Sequence, residues 1–124
     1  MPTETRRLVF SSDELVEALN AHRKLANGKM PEGKIVFCRV GETSDFRVSV
    51  KILPPGRSEV QTFHLDGDYV GAALIGYCAQ CKIPLPRGAE KNLQACGNNV
   101  ALNLSLNAAT QALPNFVRID AALN

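Results

Sequence analysis

Apolar and polar residues alternate most cleanly between Phe46 and Ile52. Phe46, Val48, Val50 and Ile52 point one way, and Arg47, Ser49 and Lys51 the other. A period of two predicts a strand with one buried and one wet face. Residues 35–40 before it form a β-branched, mostly apolar run, and residues 59–65 after it read as another strand. Residues 41–45 and the triplet Pro54-Pro55-Gly56 supply the turns. The spacing thus predicts a three-stranded meander over 35–65.

Helical spacing appears on either side. Leu15, Ala18, Leu19, His22, Leu25 and Ala26 share one face. Ser11 and Glu14 stand at capping-box distance before them, and Asn27-Gly28 is a natural stop, so a helix is expected over 12–27. Val70, Ala73, Leu74, Tyr77, Cys78 and Cys81 form a second stripe, opened by Asp66-Gly67-Asp68 and closed by Pro84 and Pro86. Pro86 also suits the first turn of a short third helix running to about Ala95, with Gly97 as its stop. Residues 6–10 predict a first strand. Val100, Leu102, Leu104 and Leu106 alternate with polar or small residues as a last one. Residues 114–123 are expected as a helical segment begun by Pro114.

Residues 10–19 lie over 65–74 at an offset of 55, with Asp13/Asp68, Leu15/Val70, Ala18/Ala73 and Leu19/Leu74 matching in type. The expected fold is one small α+β domain over 1–106. A mostly antiparallel sheet of four or five strands packs on two main helices, ferredoxin-like with an added strand if the repeat is a duplication. Residues 107–124 form an apolar C-terminal tail.

Composition narrows the function classes. The chain has 124 residues, 45% of them hydrophobic and 21% charged, enough for one core and unlike a disordered chain. Its net charge of +2 does not by itself imply a polyanionic partner. The charge is unevenly spread, however. Residues 20–57 carry eight basic and three acidic groups, a local balance of +5. No run approaches a membrane-spanning length, and residues 8–10 are too short an apolar run for a signal-peptide core. Four cysteines without an export signal point to free thiols in the cytoplasm.

Several constellations invite chemistry. Cys78-Ala79-Gln80-Cys81 has redox-motif spacing, but it sits at the wrong end of its helix to favour a thiolate. Both cysteines continue the apolar stripe, so both are expected buried, reduced and metal-free. A zinc site would have to recruit from Cys38, Cys96, His22 and His64, none of which forms a second close pair. His64 is followed by Asp66 and Asp68, but capping of the second helix already accounts for those acids. No serine stands in a nucleophile elbow and no glycine-rich phosphate loop is present. No catalytic residue, metal or cofactor is expected.

Two surfaces remain. Ile83, Leu85 and Arg87 lie in a proline-stiffened loop, and Phe116 and Ile119 anchor the apolar tail. These five residues predict a non-catalytic protein-interaction or regulatory module whose partner is another protein or its own copy, with the tail docking in trans. The alternative is a nucleic-acid-binding domain. Arg39, Arg47 and Lys51 would share one face of the meander, with Phe37 beside Arg39 and Arg57 in the turn.

Overall fold

In the computed structural model, residues 4–25, 30–41, 46–86 and 88–106 are described, together with the backbone of 116–118. The elements run β1 (Glu4–Phe10), α1 (Ser12–Leu25), β2 (Lys34–Gly41), β3 (Arg47–Leu53), β4 (Gln61–Leu65), α2 (Gly67–Gln80), β5 (Glu90–Cys96), β6 (Asn99–Leu106) and β7 (Phe116–Arg118). The helix signals act as the sequence implies. Ser11 N–H donates to Glu14 Oε1 at 2.9 Å and Glu14 N–H to Ser11 Oγ at 3.2 Å, the reciprocal pair of a capping box. Asp66 Oδ1 accepts from Tyr69 N–H at 2.9 Å and opens α2. The chain leaves α2 before either proline. Lys82 turns left-handed at φ 58°, Lys82 N–H bonds to Ala79 O, and Ile83 N–H bonds to Cys78 O. This is a Schellman ending, which carries Ile83 back toward the last helical turn.

The strands form two sheets rather than the single sheet of four or five expected from the sequence. One has the order β1-β6-β5-β7 and the other β2-β3-β4, and all pairings are antiparallel. The meander over 35–65 is the second sheet. The short third helix does not form: residues 90–96 are β5, joined to β6 by the two-residue turn Gly97-Asn98. Gly97 has φ 62°, as the first central position of a tight primed turn requires. With β5 in place, β1 and β6 have a sheet of their own. The helical tail is corrected too, because Phe116–Arg118 pairs as β7 with β5. The other tail residues, Ile119 among them, lie outside the described residues.

The ferredoxin-like arrangement gives way to a different one. The order β1-α1-β2-β3 is repeated as β4-α2-β5-β6, with helices of 14 residues each starting 55 positions apart. The first strand of each half pairs with the last strand of the other: β1 with β6, and β4 with β3. Each helix therefore carries the chain from one sheet to the other. One apolar cluster fills the interior, drawing Phe10, Leu93, Val100 and Leu102 from the first sheet and Val48, Val50 and Ile52 from the second. Leu15 and Leu19 of α1 and Val70 and Leu74 of α2 complete it. The helices also meet directly. His22 stands edge-on to Tyr69 with centroids 4.9 Å apart, and Tyr77 Oη donates to Glu17 Oε2 at 3.0 Å.

Asn98 joins the two sheets. Its Oδ1 accepts from Val40 N–H at 3.0 Å and its Nδ2 donates to Cys38 O at 3.3 Å, so its carboxamide stands in for a neighbouring strand on the open edge of β2. Nδ2 also reaches Ser12 Oγ at 2.9 Å, while Ser12 Oγ donates to Asn98 O at 3.2 Å. Asn98→Ala strips partners from two β2 edge groups and the first turn of α1. We expect a loss of about 1–3 kcal/mol, read as a lower denaturant midpoint with an unchanged slope.

Burial holds the His22 pKa below its ordinary 6.5. The unfolded chain then binds the proton more readily than the native one, so stability falls as pH drops from 6.5 toward the lower native value. Thermal midpoints across that window should decline in the wild type. In His22→Gln the decline should be shallower; an equal slope would place its origin elsewhere.

Candidate functional site

The outer face of the second sheet is built by alternation and one bulge. In β3, Val48, Val50 and Ile52 turn inward and are fully buried, leaving Arg47, Ser49 and Lys51 outside. In β2 the register slips between Ile35 and Phe37, so Val36 is an extra residue. Ile35, Cys38 and Val40 stay in the core, whereas Val36 and Phe37 both emerge, 46% and 49% exposed. Without the slip, strict alternation would put Phe37 and Arg39 on the same side as buried Ile35, inside the core.

Cross-strand pairing lays the outer residues in rows. Lys34 lies opposite Leu53, Phe37 opposite Lys51 and Lys51 opposite Thr62. Arg39 lies opposite Ser49 and Ser49 opposite His64, with Arg47 opposite Gly41. Lys51 Nζ sits 5.9 Å from the Phe37 ring centroid, in cation–π range. Ser49 Oγ and His64 Nδ1 share a hydrogen bond of 3.0 Å. No carboxylate occurs among these face residues. Where the face meets the β5–β6 turn, a shallow cleft of about 420 Å³ opens, lined by Phe37, Arg39, Val40, Gly41, Gly97 and Asn98.

The structure thus brings Arg39, Arg47 and Lys51 onto one exposed face with Phe37. Arg57 stands apart from it. It lies in the β3–β4 connection, where its N–H closes the turn on Pro54 O at 3.2 Å, beside a hollow of about 300 Å³. Of the five residues expected at a partner surface, two are described with their side chains. Ile83 and Leu85 are half-buried and pack against the core, as the Schellman ending dictates for Ile83. Arg87 lies outside the described residues, as does Ile119, and for Phe116 only the backbone pairing with β5 is described. The sequence reading missed the cleft, because its floor comes from a turn that it assigned to a helix end.

The remaining candidates are spent on structure. Asp66 caps α2, so it is no partner for His64. Among the described residues no group of three His, Cys, Asp or Glu is placed to hold a metal ion. No helix of the described residues is long and apolar enough to cross a membrane. All four cysteines are free. Cys78 is buried, but Cys81 is exposed, which corrects the expectation that both are buried. Cys81 is the C-cap of α2, one position past the last helical residue, so the stripe no longer points it inward. No protein-family model matches the chain, and no curated protein or solved structure matches it.

Burial raises the Cys38 thiol to about 11 and pushes that of Cys78 up as well. Neither supplies a thiolate at neutral pH. A maleimide added to native protein should therefore label Cys81 rapidly, with Cys38 and Cys78 reacting only on unfolding. Peptide mapping of the labelled sites would show it, and early labelling of Cys78 would contradict this order.

Proposed function

We propose that the protein is a small non-catalytic interaction module and that its partner lies on the outer face of the second sheet as an anionic chain. The observation that carries this reading is the composition of that face. Lys34, Arg39, Arg47 and Lys51 stand exposed on two adjacent strands around Phe37, with no carboxylate among the face's described residues. Cations without local counter-charge raise the local concentration of anions and orient them on approach. Exposed Val36 and Phe37 add apolar contact beside that charge. Four free thiols suit a reducing, cytoplasmic setting.

A second reading keeps the tail as the docking element, with Phe116 and Ile119 as anchors for another protein or a second copy. What favours it is the apolar crowding of Leu113, Phe116, Val117, Ile119 and Leu123. The face is better supported, because its side chains are assembled and exposed.

Immobilised heparin, a flexible polyanion, provides the test. The wild type should be retained at low salt and elute as salt rises. Arg39→Ala, Arg47→Ala and Lys51→Ala should each elute earlier, and the triple variant should flow through. All three side chains are exposed, so circular dichroism should show an unchanged fold. A wild type that passes heparin at low salt, or a triple variant held as firmly as the wild type, would remove this function.

A further inference from the structure

Resting on that reading, we propose that the anionic partner is a single-stranded nucleic acid and that the cleft beside β2 takes one of its bases. The cleft, of about 420 Å³, is shallow and open to solvent, a shape that suits one flat group laid against its wall. Its walls include two planar groups, the half-exposed Phe37 ring and the exposed Arg39 guanidinium. Both kinds of group stack on bases, and every base offers a π-face. Its floor includes Gly41 and Gly97, which carry no side chain to keep a flat ligand away. A Cβ at Gly97 would meet nothing within 4 Å, so the space above the turn is open.

The one carboxamide lining the cleft is already used. The Asn98 carboxamide donates to Cys38 O and Ser12 Oγ and accepts from Val40 N–H. Of the polar side chains lining the cleft, that leaves Arg39, whose flat guanidinium is used here for stacking, so the cleft accepts a base mainly by stacking and not by its identity. The phosphates then have a path over cations. Arg39 borders the cleft, Arg47 pairs opposite Gly41, and Lys51 pairs opposite Phe37. An acidic peptide would satisfy the same cations, but only an occasional aromatic side chain of it could lie in a cleft lined by Phe37 and Arg39, whereas every nucleotide carries a planar base. That difference is what selects nucleic acid.

The test uses three labelled probes on the full chain in anisotropy titrations: a twelve-nucleotide oligothymidylate, an abasic strand of the same phosphate count, and poly-glutamate. The oligothymidylate should bind about tenfold tighter than the abasic strand, within the range that one stacked base supplies. Phe37→Ala should erase that preference while leaving abasic binding in place. Arg39→Lys, which keeps charge and loses the planar fork, should reduce it. Phe37→Trp should retain it. The chain has no tryptophan of its own, so that variant's emission reports stacking directly by quenching.

Equal affinity for the two strands, or a preference that survives Phe37→Ala, overturns the base-binding cleft. If Arg47→Ala still weakens both strands in that case, the anionic-partner reading stands. Poly-glutamate bound in preference to either strand assigns the face to an acidic protein and overturns the nucleic-acid identity. Failure of all three probes to bind removes both the cleft and the reading it rests on.

Discussion

Neither half of this chain can complete a sheet without the other. β1 finds its hydrogen-bond partner in β6, and β4 finds its own in β3, so each half gives its first strand to the other's hairpin. The β1–β6 pairing joins the two ends of the domain and β3–β4 is a local hairpin across the junction of the halves, and together they bind the halves into one unit before any side chain is counted. The same exchange sets where the helices go. Each one bridges the two sheets, so its apolar side must face the space between them, and the largest fully buried side chains come from both sheets and both helices. Asn98 then fixes the joint at close range. Its carboxamide meets the edge of β2 as a peptide group would, while Ser12 ties the same residue to the start of α1.

That joint also shapes the surface. An open strand edge invites pairing with another chain, and β2 carries two devices that discourage it. The Val36 bulge breaks the register, and Asn98 occupies Cys38 O and Val40 N–H. Extension of the sheet by a foreign strand is therefore disfavoured at this edge, and recognition falls to side chains on the face. The bulge serves both ends, since the slip that breaks the edge is the one that sets Phe37 beside Arg39 on the outside.

Much of this was legible in the residues. The period of two in β3 identified its wet face, and capping residues located both helix starts correctly. The repeat at an offset of 55 marked two equivalent units, although it could not say which strands would pair between them. β5 was illegible because it lacks an alternating pattern. Lys91, Asn92 and Leu93 are consecutive and all buried, and the stretch holds no β-branched residue. Pro86 then suggested a helix start that the chain does not use. The missed signal was Gly97-Asn98, a two-residue turn with glycine in its first central position, which implies strands on both sides. Cys81 was misplaced for a related reason, because a stripe extended by periodicity does not know where the helix stops.

The two outer faces show why one of them is singled out. Both sheets are antiparallel, and both present polar residues outward. On the first sheet the outward cation is already committed: Arg7 donates to Gln94 Oε1 at 3.0 Å and lies 3.6 Å from Cys96 Sγ, across the width of β6. On the second sheet no described carboxylate pairs with Arg39, Arg47 or Lys51, and Lys51 Nζ stands over the Phe37 ring. On the first face Arg7 is thus engaged within the molecule, whereas the second holds charge and an aromatic surface without a described counter-charge. Stability does not require three cations of like sign on adjacent strands, and their mutual repulsion works slightly against it. An anion laid across them relieves that repulsion, so the feature that costs the free protein is the one that a bound partner converts into affinity.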